Sequence, residues 1–152
     1  MEKDYGEKEH EKRIDWDKPI EKDPVEFGSL KKKADNLIGE EKYEEAIVYL
    51  DRILALLPEN EEILANKGFV LCLLGDFDEG LNALKKAFKL NPASRYVMIM
   101  AADAYLRYGR PDNSIKLLEK GIDLYPDDDG LVMLKEIILM TKFDKKEYMS
   151  FN

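Results

Sequence analysis

The residues of this chain that could do chemistry are few, and their spacing suits structure better than reaction. A catalytic centre needs a nucleophile, a base or a metal set at workable spacing. The one histidine, His10, lies in a charge-dense stretch ahead of Pro19 and Pro24, so a positioned general base is not expected. The one cysteine, Cys72, sits among Leu71, Leu73 and Leu74 with no histidine nearby, and reads as a small apolar residue rather than a reactive thiol. A lone cysteine builds no internal disulfide and fits a reducing compartment. Asp127-Asp128-Asp129 lacks the glycine and the distant glutamate of a calcium loop. Placed between Pro126 and an apolar stretch, it reads as a helix N-cap whose charge suits the helix dipole. No glycine-rich phosphate loop occurs. The expectation is no enzymatic activity, no cofactor and no metal.

What the chain has in quantity is amphipathic helix. Its 152 residues suffice for one compact domain or one short array of repeats, and 45% hydrophobic content allows a real core. Charged residues reach 37% and the formal net charge is -8. That balance repels phosphate backbones, so nucleic acid is not an expected partner. The longest basic cluster, Lys31-Lys32-Lys33, spreads around most of a helical turn. No apolar run approaches the ~20 residues needed to cross a bilayer, and the N-terminus lacks the apolar core of a secretory signal. A cytoplasmic protein without a membrane partner is expected.

Pro58, Pro92 and Pro126 recur at intervals of 34 residues. Each closes an apolar stretch, and proline disfavours helix at the residue before it. Other columns keep the same period: Leu50, Leu84 and Leu118; Leu56, Leu90 and Leu124; Leu30, Leu64, Met98 and Val132. Small residues recur at Ala46, Gly80 and Ser114, and again at Ala34, Gly68 and Ala102, where paired helices must approach closely. Gly75 and Gly109 suit the left-handed cap that stops a helix. Asp76 and Glu79 are placed for a capping box, and Pro111 for the first turn of its helix. Each unit is thus two helices of roughly 12 to 15 residues joined by a tight turn. One such pair cannot cover its own apolar stripe, so neighbours must stack.

Helix pairs of this length, with small residues at these intervals and a closing proline, resemble the tetratricopeptide repeat. The middle unit carries the likeness best, through Lys67, Gly68, Leu71, Gly75, Phe77, Leu84, Phe88, Leu90 and Pro92. Lys33, Glu41 and Pro111 depart from the family's pattern in the outer units. The resemblance implies an all-α, right-handed solenoid: units 27–60, 61–94 and 95–128, then a capping helix over 129–143. Residues 1–26 read as a charged, flexible segment and 144–152 as a tail. Val25 and Phe27 are expected against the first helix. Ile14, Trp16 and Ile20 give the leading segment the means to fold back on the solenoid's groove or edge, and Tyr148, Met149 and Phe151 give the tail an apolar character.

The resemblance also implies that the first helix of each pair lines a concave groove that holds a peptide or helix of a partner protein. The residues so placed are Lys31 and Asp35, then Asn66, Phe69 and Leu73, then Tyr96, Ile99, Met100, Asp103 and Arg107. Glu62, Ala65 and Cys72 share the inward side of the second unit, and Met133, Ile137 and Met140 continue it along the last helix. Family members that grip chaperone C-termini use lysine and asparagine in the first unit, asparagine in the second and a basic pair in the third. Those slots fall here on Lys31, Asp35, Asn66, Tyr96 and Met100. Asp35 repels a carboxylate, and neither Tyr96 nor Met100 supplies a cation, so chaperone C-termini are not the expected partner. The alternative is a homo-oligomeric scaffold that uses the same apolar surface for self-association.

Overall fold

Helix follows helix throughout the computed structural model, which describes the backbone of residues 24–150 and the side chains of 25–145. The order is α1 (Pro24–Gly39), α2 (Tyr43–Leu56), α3 (Glu61–Leu73), α4 (Phe77–Leu90), α5 (Arg95–Arg107), α6 (Pro111–Leu124) and α7 (Asp129–Ser150). No strand occurs among the described residues, and none of their helices is long and apolar enough to cross a membrane. His10 and the leading Ile14, Trp16 and Ile20 lie outside the described residues, as do Phe151 and the side chains of Tyr148 and Met149.

The 34-residue period sets where helices start and stop. Gly75 and Gly109 end α3 and α5 with φ of +90° and +74°, a region open to glycine without penalty. Glu41 takes the same turn after α1 with φ of +60°, at the cost a side chain brings there. Entry to α3, α5 and α7 falls to Asn60, Ser94 and Asp128, again one period apart. Asn60 Oδ1 accepts from the Ile63 amide at 3.0 Å, Ser94 Oγ from Val97 at 3.2 Å and Asp128 Oδ1 from Leu131 at 3.2 Å. The capping box expected at Asp76 does not form, because its side chain makes no cap bond. Backbone closure does that work instead: the amides of Lys42, Asp76 and Arg110 donate to the carbonyls of Leu37, Leu71 and Tyr105 at 2.8, 2.9 and 2.8 Å.

Within each pair the small columns are where backbones meet. A Cβ built on Gly68 would lie 2.6 Å from the Gly80 carbonyl oxygen, and Ser114 Oγ donates to the Ala102 carbonyl at 2.7 Å. Ala34 and Ala46 are both fully buried. Three apolar clusters follow along the stack. Leu30, Leu50, Ile53 and Ile63 centre the first; Leu64, Leu84, Ala87 and Val97 the second; Leu118, Leu131 and Ile138 the third. Phe27 packs on the first cluster, whereas Val25, in the opening turn of α1, is 77% exposed. The last helix runs on to Ser150, since nothing between Lys142 and Ser150 breaks a helix.

Candidate functional site

The first helices of successive pairs, α1, α3 and α5, are tied sideways by side chains. On α3, Glu62, Asn66, Phe69 and Leu73 follow one another at helical spacing on one face; on α5, Tyr96, Met100, Asp103 and Arg107 do the same. Lys31 bonds Asp35 on its own helix at 2.9 Å and reaches Glu62 on α3 at 3.2 Å. The Asp35 contact, with help from Glu62, raises the pKa of the ammonium. Next along, the Tyr96 hydroxyl donates to Asn66 Oδ1 across the α3–α5 seam. Burial first, then the negative charges of Glu62 and Asp35, push the Tyr96 phenol up, so it stays a neutral hydrogen-bonding group. Further down the wall Arg107 pairs with Asp103 at 3.0 Å and holds its guanidinium carbon 5.7 Å from the centre of the Phe69 ring.

The expected groove residues therefore occupy graded positions. Lys31, Asp35 and Glu62 form a partly exposed ionic cluster carrying one surplus negative charge. Asn66 is nearly buried at 5% exposure, while its partner Tyr96 stands 40% exposed. Phe69, Leu73 and Met100 are half-buried, and Met100 packs on the central cluster. Ile99 packs on the third cluster, which joins α5, α6 and α7. Ala65 and Cys72 on the inward side of α3 are core; burial and the charge of Asp76 push the Cys72 thiol up to about 11, far from a reactive thiolate. Met133, Ile137 and Met140 on α7 are 60%, 51% and 66% exposed.

Sequence reasoning placed Glu62 inward but missed that it shares Lys31 with Asp35; opposite charges nearly one period apart are the signal. Asp128 caps α7 as expected and also binds Arg95 across a period, which lowers its pKa. Among the described residues no group of three or more histidine, cysteine, aspartate or glutamate side chains is placed to hold a metal ion.

A helix-pair stack with this cap register and this wall defines a class of protein, and comparison with known proteins agrees. The family model described as Tetratricopeptide repeat matches residues 37–84 and 71–138. The chain belongs to the tetratricopeptide repeat family. It is 30% identical over 88 residues to the TPR repeat-containing protein MJ1428 of Methanocaldococcus jannaschii, a match that covers 58% of this chain and spans only 15% of that relative. Among solved structures it resembles the first TPR of Spaghetti (RPAP3) bound to HSP90 peptide SRMEEVD, with 19% identity, 78% of this chain and 97% of that one covered, and a TM-score of 0.67. It also resembles an O-GlcNAc transferase from Thermobaculum terrenum, with 18% identity and a TM-score of 0.69 over 80% of this chain and 23% of that one. The family's repeat is in general a protein-interaction module without catalysis of its own, although it also occurs within enzymes such as that transferase.

Proposed function

We propose that the wall formed by α1, α3 and α5 holds a peptide or helix of another protein, and that the chain serves as an adaptor or scaffold. The observation that carries this reading is the pair of aligned rows, Glu62-Asn66-Phe69-Leu73 and Tyr96-Met100-Asp103-Arg107, bonded to each other through Asn66–Tyr96 and faced by Phe69 and Arg107. Together they offer a phenol and an aromatic ring on one surface, held in place by the buried Asn66 amide, which suits an extended or helical guest. Half-exposed aromatic side chains supply the anchors that dominate binding energy, and Met100 adapts to several guests. Units 27–60, 61–94 and 95–128, closed by 129–143, are the division that goes with this reading. Chaperone C-termini are not the guest proposed. Lys31 is already shared by two carboxylates, and Tyr96 and Met100 bring no charge to a terminal carboxylate.

The test is capture of partners from the native source by the wild type and by a Phe69→Ala, Tyr96→Ala double variant. The proposal expects the double variant to lose the partners that the wild type retains; an unchanged set counts against it. A second reading is self-association, which one observation favours. Met133, Ile137, Met140 and Phe143 form an exposed apolar stripe on α7, a contiguous apolar surface of the kind that another copy can cover. Light scattering over rising concentration should then show dimers that a Met133→Glu, Met140→Glu variant does not form. A monomer at every concentration removes this reading.

A further inference from the structure

The three seams between successive units are not alike. Where α3 meets α2, Lys67 reaches Asp51 at 2.7 Å; where α7 meets α6, Lys135 reaches Glu119 at 2.9 Å. Both bridges join residues 16 apart, and the acidic members stand two periods from each other. In the middle seam the same two register positions hold Lys85 and Ala101. The acid has become a base, and the lysine that should meet it has become a methyl group. No bridge can form. Correspondingly, α4 and α5 touch less extensively than α2 with α3 or α6 with α7.

The middle seam is open as a result. A cleft of about 300 Å³ lies there, walled by Leu81, Leu84, Phe88, Ala101, Tyr105 and Leu117, with Lys85 and Lys89 at its rim. That volume sits at the lower end of the roughly 300–1,000 Å³ typical of binding clefts. Ala101 and Tyr105 lie on the side of α5 away from the Tyr96 row, so this is a second surface, separate from the proposed groove. On α6, Lys116 and Lys120 flank Leu117 one turn apart. Among the described residues none of Lys85, Lys89, Lys116 or Lys120 has a carboxylate at ion-pair distance. An apolar slot edged by unneutralised cations stands out on a chain of net charge -8.

We infer that this seam docks a partner segment in which bulky apolar side chains are flanked by carboxylates. The apolar side chains fill the space that the missing lysine stem leaves, and the carboxylates take the place of the missing acid opposite Lys85 and Lys89. Lys85 and Lys89 stand one turn apart on α4 at the cleft, so two carboxylates spaced along a peptide satisfy them where the one carboxylate of a fatty acid does not.

The probe is a fluorescein-labelled synthetic peptide, leucine-phenylalanine with two glutamates on each side, titrated by fluorescence polarisation. A Lys85→Asp, Ala101→Lys double variant recreates the bridge of the flanking seams and closes the cleft. A Lys85→Glu, Lys89→Glu variant changes only exposed charge and keeps the test valid should the closed variant fold poorly. The inference expects binding to wild type, weakened at least about ten-fold in either variant, and no comparable binding of the same peptide with lysines for glutamates. Equal binding by wild type and the charge-reversed variant overturns it. So does a silent glutamate peptide, or displacement-free binding of decanoate at the cleft while the peptide stays unbound. The groove variant at Phe69 and Tyr96 should bind this probe as the wild type does, which separates the two surfaces.

Discussion

Asp128 shows how one side chain can serve two units. Its carboxylate accepts from the amides of Gly130 and Leu131 at 3.1 and 3.2 Å and binds Arg95 of the preceding first helix. The Arg95 hydrogen bond is the main cause of its lowered pKa, with the backbone amides adding to it. A folded pKa below the unfolded value stabilises above the unfolded pKa, near 3.9 for an aspartate, and that contribution is lost as pH falls through the folded value. Asp128→Asn should therefore lower the melting temperature by a steady amount from neutral pH down to about pH 5. The gap to wild type should close in acid, where Asp128 itself becomes neutral. A gap that stays constant into strong acid contradicts this role. The cap was legible in the sequence, because three acids between a proline and an apolar run have few other uses. The bond to Arg95 was not, since it depends on how far successive units rotate against each other.

Between paired helices, the decisive quantity is the distance of approach. Gly68 meets Gly80 with backbone on both sides, and an added methyl would press on the Gly80 carbonyl at 2.6 Å and Leu84 Cγ at 2.8 Å. Backbone cannot rotate away, so Gly68→Ala should destabilise by about 1–3 kcal/mol despite the helix preference of alanine. Gly28, on the exposed first turns of α1, has nothing within 4 Å of the same position. Gly28→Ala should stabilise by about 0.5–1 kcal/mol. Urea unfolding of both variants checks the pair, and equal effects would contradict the close-approach argument. The small-residue columns were readable because the period repeats them. The first-helix N-caps Asn60 and Ser94 stand two periods and one period before Asp128 and went unread, since three different residue types share the position. At Asp76 local pattern misled: the carboxylate suggested a cap, but the glycine-terminated turn had already fixed the backbone there.

At the scale of the molecule, repetition explains why the architecture was so legible and the binding surfaces less so. A period kept without insertion fixes stacking, so helix order followed from prolines, glycines and small columns. Guest-binding residues escape that logic, because they are the positions free to vary between units. Lys31, Ala65, Ile99 and Met133 share one column, yet the first is ionic, the second core, the third packed on the last apolar cluster and the fourth exposed. Lys85 and Ala101 escaped notice for a related reason: each is unremarkable alone and departs only from its counterparts one period away. The surplus negative charge around Lys31 and the Phe69–Arg107 contact give the inner wall a different character from the lysine-edged seam behind it.

The inner wall as a contact surface is tested most directly by site-specific photo-crosslinking. A benzophenone amino acid is placed at Tyr96 on the wall and, separately, at the exposed Val48 of α2, which is 50% accessible. Irradiation in an extract of the native source should join a partner protein to the chain from position 96 and not from position 48. The same partner captured equally from both positions, or from position 48 alone, would contradict the account.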